Sequence, residues 1–397
     1  MNFVFISPNF PTNYYNYCKG LKENGVNVLG IGDTPYDALE QQVKDSLCDY
    51  YKVSSLENYD EVYRAVAFFA HKYGKIDWLE SNNEYWLQQD AKLRTDFHIT
   101  TGINEDQIDF IKYKSEMKAF YELAGVPTAR YHLTSTLEAG KKFIEEVGYP
   151  VIVKPDNGVG AARTYKIRND EELEAFYKEP QITQMIMEEF INGELISYDG
   201  IADSNRNVIF DTHHVFPRPI MDVVNDGLDV YYFNKRDIPA DLKDIGQRVI
   251  KAFPTNSRFF HCEYFRLRED KKGLGKKGDI LGLEVNMRSP GGPTPDMMNY
   301  SADVDVFKMW ANMVCYDKTM MDSVEKKYYV VYAARRYNHE YEHSIEEVAE
   351  WYKDYLVMNQ PVSPALAGAM GDHLMMARFE TEEEIIPFVK CVLEKYF

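Results

Sequence analysis

The segment Leu281–Arg288 reads LGLEVNMR. On a β-strand its period of two places Glu284, Asn286 and Arg288 on one face, with Leu283 and Val285 behind. Upstream, Phe259–Phe265 (FFHCEYF) also has strand character and presents Glu263 on the face shared by His261 and Phe265. If the two strands pair, two carboxylates and an amide oxygen converge on one spot. Such hard oxygen donors suit Mg2+ (or Mn2+), and two carboxylates that close would repel each other unless a cation lay between them. Glu284 and Asn286 alone fit a solvated strand face equally well; Glu263 and Arg288 in the same frame favour a site.

A second constellation begins at the strand Val151–Lys154, followed by the loop Pro155 to Arg163 and the strand Thr164–Ile167. Lys154 supplies a fixed positive charge at a strand end. The small residues Gly158, Gly160 and Ala161 let backbone N–H groups approach an anion closely. Together they could cradle phosphates. The lysine precedes the glycines and a strand follows them, so this is no Walker loop, and taken alone it also fits a plain hairpin turn. Between the two constellations, Gln184–Glu194 is an apolar strand running into a polar connector whose backbone could hydrogen-bond an adenine edge.

These groups need elements to hold them. The first hundred or so residues alternate short apolar runs (Phe3–Ile6, Val26–Ile31, Ile76–Leu79) with helical patterns through Leu21 and over Tyr59–Tyr73, as a parallel sheet does. Gly30-Ile31-Gly32-Asp33 invites a dinucleotide reading, but the third glycine is missing and the segment follows the second strand, so it reads as a structural turn. A helix runs from Lys114 to Gly125-Val126-Pro127, where glycine can cap and proline forbids continuation. Ser135-Thr136-Leu137-Glu138 reads as a capping box opening a helix to Gly148. Arg266 to Asp279 is a loose hairpin loop. Tyr328–Arg336 reads as a strand, with helices from Ser344 and Thr381; Arg335 and Arg336 either reach the site or pair with surface carboxylates.

The chain has 397 residues, 45% of them hydrophobic and 27% charged, which suits a sizeable core and two to four subdomains. A net charge of -18 argues against a nucleic-acid or anionic-membrane surface, so an anionic ligand must meet a local basic site. Five scattered cysteines without a CxxC pair fit reduced thiols rather than a disulfide framework or zinc site. The amino terminus lacks a basic n-region and no apolar run reaches membrane-spanning length, so a cytoplasmic, soluble protein is expected.

The order of parts resembles the ATP-grasp superfamily, and most of all its carboxylate-amine ligases and biotin carboxylase-like and carbamoyl-phosphate synthase-like members. The order is a lysine before a helix ending in Gly-Val-Pro, a lysine before a glycine-bearing hairpin, an acidic connector, then Glu, Glu and Asn on paired strands. The likeness covers roughly residues 113 to 310. It implies an α/β (α+β) fold: a parallel-sheet pre-ATP-grasp domain over 1–112, subdomain A with the phosphate-binding hairpin over 113–190, and subdomain B with the metal site over 191–320. A C-terminal α+β segment over 321–397 would pack back on the first domain. It implies that Lys114 and Lys154 contact ATP phosphates, that the loop from Asn157 to Ala162, with Gly158, Gly160 and Ala161, closes over them, and that Glu188 with the Glu189, Phe190 and Ile191 backbone holds the adenine. Glu263, Glu284 and Asn286 match the magnesium ligands, and Arg288 matches the arginine that binds the acyl substrate. Many relatives place a ribose-binding glutamate where Leu195 falls; Glu194 or Asp199 would substitute. Arg218 is the candidate for the basic residue at the γ-phosphate, and a surface arginine is the alternative. Dimerisation is a family analogy that no residue pattern here demonstrates.

The implied chemistry is ATP-dependent joining of a small-molecule carboxylate and an amine through an acyl-phosphate. Lysines and Mg2+ would neutralise the transferred phosphoryl group, and Arg288 would stabilise the oxyanion. Glu80, Asn83, Glu84 and Arg94 cluster at one strand end and the following helix, where they could recognise an amine or a carboxylate, or cap and solvate the chain around Trp86. Gly291 lies in the turn-rich loop after Arg288 and could line the acyl pocket. The same parts would serve an ATP-grasp enzyme that phosphorylates bicarbonate or a carboxylate, or a non-catalytic nucleotide-binding regulator. A dehydrogenase reading rests on Gly30-Ile31-Gly32 alone.

Overall fold

A computed structural model describes residues 1–158, 163–218, 220–321 and 323–395. The alternating amino-terminal pattern builds a parallel sheet of four strands, β1 (Asn2–Ile6), β2 (Asn27–Gly32), β3 (Asp49–Lys52) and β4 (Trp78–Glu80), in the order β3-β2-β1-β4. The order reverses beside β1, and the carboxyl end of β4 leads directly into Asn83 and Glu84. Gly30-Ile31-Gly32 is not a turn but the body of β2. A Cβ on Gly30 would stand 2.7 Å from Leu47, and one on Gly32 would stand 2.5 Å from the Tyr50 hydroxyl, so the glycines serve close packing.

Four antiparallel strands form a second sheet in the order β5-β8-β6-β7: β5 (Tyr131–Leu133), β6 (Val151–Pro155), β7 (Tyr165–Ile167) and β8 (Met185–Glu189). Val151, Val153, Met185 and Met187 turn one face onto Phe143, Ile144, Leu173 and Phe176 of the helices Leu137–Val147 and Asp170–Lys178. Strand alternation therefore sends Ile152, Lys154 and Glu188 to the other face. The first of these helices is capped by Thr136, whose hydroxyl accepts from Ala139 N at 3.2 Å, rather than by a box built on Ser135.

The third sheet has eight strands, β9 (Gly193–Ala202), β10 (Val208–Phe216), β11 (Val230–Asn234), β12 (Arg258–Leu267), β13 (Ile280–Asn286), β14 (Tyr329–Arg335), β15 (Leu356–Pro361) and β16 (His373–Phe379). They are ordered β13-β12-β9-β10-β11-β14-β16-β15. The last three carry the C-terminal stretch into this central sheet, rather than back onto the amino-terminal one, because β14 pairs with β11. On one face Tyr198, Phe260, Cys262, Tyr264 and Val285 share a core with Met117, Tyr121, Val249 and Ile250 of the helices Lys114–Leu123 and Ala240–Ala252, and with Phe253 just past the second.

Gly282 sets how closely the first of those helices approaches. A Cβ there would lie 2.4 Å from the Tyr121 ring, and its N–H already donates to Pro127 O at 2.8 Å. A larger residue would push the helix, and Lys114 with it, away from Glu284.

Candidate active site

β12 and β13 pair in the register that sets Glu263 opposite Glu284 and His261 opposite Asn286. The register shifts between Glu263 and Tyr264. This bulge turns Leu283 toward the cleft as well, where strict alternation would have hidden it. Both carboxylates are largely enclosed, with about a fifth of each side chain open to the cleft (20% and 22%). Burial alone would raise the Glu284 carboxyl, but Lys114, Lys154, Arg288 and Lys112 outweigh it and hold the group below its ordinary value. Two facing carboxylates and the Asn286 amide are an all-oxygen, anionic donor set, which is the chemistry a hard divalent cation needs.

The opposing cations are brought in by Asp156, just past the end of β6. Its carboxylate accepts from Ser115 N (2.8 Å) and Ser115 Oγ (2.7 Å), and its carbonyl accepts from Lys114 N (2.9 Å). The end of β6 thus caps the helix that starts at Lys114, and the side chains of Lys114 and Lys154 enter one space. Lys114 Nζ stands 3.5 Å from Glu284 Oε2 and 3.5 Å from Gly158 O. Lys154 Nζ donates to Glu188 Oε2 at 2.6 Å, while Lys118 grips the other oxygen of the same carboxylate. Burial opposes the charge on Glu188, yet the two lysines win and draw its carboxyl down to about 2. For Lys118 burial wins, pulling the ammonium below its ordinary value despite Glu188; Lys154 is pushed above its ordinary value, because Glu188 and Glu284 outweigh its burial. Lys118 was not singled out from the sequence. The signal available was its i, i+4 spacing from Lys114, which puts both lysines on one helix face.

The connector between β8 and β9 closes the far wall. Glu189 is fixed by Arg130 (2.9 and 2.8 Å) and Lys271 (3.4 Å). Lys271 also donates to Phe190 O at 3.0 Å, and Lys166 lies 4.0 Å over the Phe190 ring. The lysine-rich hairpin loop after β12 therefore pins the connector in place. The cleft has a volume of about 470 Å³. At one end Arg288 Nε donates to Glu84 Oε2 at 3.2 Å, and Lys112 holds the other oxygen of Glu84.

Residues 112–243 match the family model of the ATP-grasp domain. That stretch is about a third of the chain and is similar to an ATP-grasp domain. Over 254 residues it is 22% identical to an L-arginine-specific L-amino acid ligase of Bacillus subtilis, an alignment that covers 62% of this chain and 59% of the relative. The chain thus matches little more than half the length of that relative. An L-amino acid ligase from Bacillus licheniformis superposes with a TM-score of 0.74 at 14% identity, covering 100% of this chain and 98% of the other. The biotin carboxylase domain of a 2-oxoglutarate carboxylase from Hydrogenobacter thermophilus, solved with MgADP and bicarbonate, superposes with a TM-score of 0.70 at 15% identity, covering 98% and 89%. At these identities the superpositions establish an ATP-grasp fold.

Within the ATP-grasp cleft the structure gathers Lys114, Lys154, Gly158, Glu188, Glu189, Phe190, Ile191, Glu263, Glu284, Asn286, Arg288 and Glu84. Other sequence candidates stand elsewhere. Glu80 is buried between Arg94 and Arg258, each 2.8 Å away, so it neutralises two enclosed guanidiniums instead of facing substrate. Asn83 accepts from Tyr85 N at 3.0 Å, a turn contact. Asp199 has no exposed side chain and is enclosed by His214, His261 and Ser197, which leaves it no edge toward a ribose. Glu194 shares its strand face with Ile196, a core residue, while Leu195 takes the cleft side. Arg218 is exposed, donates to Asp229 O at 3.0 Å and lies over the Tyr231 ring. Asn157 forms an isolated bridge with Tyr113 and reaches Gln88 at 3.4 Å. Gly291 is exposed, its carbonyl accepting from Thr294 Oγ1 at 2.8 Å. Gly160 and Ala161 lie outside the described residues. Among the described residues no helix is long and apolar enough to cross a membrane.

Proposed function

We propose that this chain is an ATP-dependent ligase that joins a carboxylate to an amine through an acyl-phosphate, releasing ADP and phosphate. The observation that carries the reading is the face-to-face pair Glu263 and Glu284, with Asn286 beside them and Lys114 and Lys154 opposite. In this reading Glu263, Glu284 and Asn286 hold Mg2+ (or Mn2+), which when bound neutralises charge on the phosphates of ATP. Lys114 and Lys154 take the remaining phosphate charge, and the connector Glu189–Ile191 backs the adenine. The division into segments 1–112, 113–190, 191–320 and 321–397 belongs to the same reading, with the last segment extending the central sheet.

The substrate carboxylate oxygen attacks the γ-phosphorus and the bond to the β-phosphate oxygen breaks, so ADP leaves. The amine nitrogen then attacks the acyl carbon, the carbon–oxygen bond to phosphate breaks, and the nitrogen loses a proton. Charge builds on the phosphoryl oxygens in the first step and on the acyl oxygen in the second. Lys154 answers the first and Arg288 the second. An α-amino acid fits the end of the cleft best, because Arg288 and Glu84 offer its carboxylate and ammonium groups opposite charges 3.2 Å apart. The likeness to an L-amino acid ligase supports the same substrate class.

The test is ADP and phosphate release from Mg-ATP with amino acids supplied singly and in pairs, beside Glu284→Ala. Turnover that needs two amino acids and disappears in the variant is the expected result. ADP release with bicarbonate or one acid alone would move the reading to carboxylate phosphorylation, and failure to bind ATP would sink it.

A further inference from the structure

Two rows of side chains cross the central sheet, one of them starting from the paired carboxylates. Glu284, Glu263, Ser197 and His214 are successive partners on β13, β12, β9 and β10, and Asn286, His261, Asp199 and Thr212 form the neighbouring row. His261 joins the rows. Its Nε2 stands 3.3 Å from Glu263 Oε1, and its Nδ1 contacts Asp199 Oδ1. The other Asp199 oxygen meets His214 Nδ1 at 2.6 Å and accepts from the Ser197 hydroxyl. The side chains of Asp199 and His214 are entirely sealed from solvent.

A carboxylate enclosed by two imidazoles and a hydroxyl, on a strand buried along most of its length, is an anchor rather than a ligand contact. Its tie to the cleft runs through one ring, and that ring ends on Glu263. We infer that Asp199 is a positioning residue for the divalent-cation site: it fixes the His261 ring, and the ring holds Glu263 Oε1 so that the second oxygen remains for the cation. Glu263 would otherwise sample several rotamers, and ordering it in advance removes an entropy cost from cation binding. The inference rests on the reading of Glu263, Glu284 and Asn286 as cation ligands.

The test uses the full-length protein. Mn2+ is titrated in the presence of ADP and followed by the electron paramagnetic resonance of the free ion, and ADP is titrated separately in a chelator. Asp199→Asn and His261→Gln are each expected to weaken Mn2+ about 10- to 100-fold while metal-free ADP affinity stays within about twofold of the parent. Glu263→Gln should lose Mn2+ more severely than either. Parent-like Mn2+ affinity in both network variants, with Glu263→Gln impaired, overturns the positioning role. Equal losses of Mn2+ and ADP overturn it too, because the network would then support the whole cleft. A parent protein that ignores Mn2+, or a Glu263→Gln variant that binds it normally, refutes the cation site itself instead. If Asp199→Asn does not fold, His261→Gln decides alone, since it leaves Asp199 its contacts with His214 and Ser197.

Discussion

Lys154 and Glu188 meet across β6 and β8 at 2.6 Å, and Lys118 holds the same carboxylate from the helix that begins at Lys114. Lys154, the lysine proposed to meet phosphate, is thus engaged by an internal carboxylate. In the proposed reading phosphates would draw Lys154 away, and Lys118 would keep Glu188 from being a buried, unpaired charge.

On that reading Lys118→Ala leaves Lys154 the sole partner of Glu188 among the described residues, and ATP must break a buried pair to recruit it. Breaking such a pair costs about 3–5 kcal/mol, so affinity for a nonhydrolysable ATP analogue should fall at least about tenfold by calorimetry. Adding Glu188→Gln in the Lys118→Ala background should restore much of it, a coupling that independent contributions would not produce.

The same network has a pH signature. The Glu188 carboxyl is drawn from 4.5 to about 2, so the native state releases this proton more readily than the unfolded chain. Its contribution is fully present above about pH 4.5, is lost as pH falls toward 2, and amounts to about 3 kcal/mol at most. Denaturant unfolding between pH 2.5 and 6 should show a steeper rise in stability with pH for the parent than for Glu188→Gln. Parallel curves would count against the ion-pair account.

Glu84 stands at one end of the cleft, beside Arg288. Glu84→Gln keeps the shape but removes the charge proposed to meet an ammonium group, so the KM for the amino acid should rise about tenfold while the KM for ATP stays put. Arg288→Lys loses the planar fork and should instead lower kcat. Steady-state kinetics with each substrate varied in turn reads both.

Gly282→Ala tests the packing that sets the site. The added methyl would lie 2.4 Å from the Tyr121 ring, and overpacking of this kind costs about 1–3 kcal/mol. Both a lower Tm and a weaker ATP affinity are expected, because the helix bearing Lys114 and Lys118 must move. A lower Tm with unchanged affinity would show that the helix absorbs the strain without shifting its lysines.

Local rules made much of this legible in the sequence. Period-two alternation put Glu284 and Asn286 on one strand face, glycine and proline ended the helix after Lys114, and the short apolar run ending in Lys154 formed the strand read there. The sequence also supplied the residue types of the proposed cation and phosphate site. Sealing and register belong to tertiary structure. Glu80 and Asp199 look like ligand residues in one dimension, yet Arg94 and Arg258 neutralise the first and two histidines enclose the second, partners up to 178 residues away in the chain. Strand pairing brought Glu263 onto Glu284, a bulge turned Leu283 toward the cleft, and Asp156 tied two lysine-bearing elements together. Each depends on which elements pack together, and that is decided by burying apolar faces contributed by distant segments rather than by neighbours in sequence.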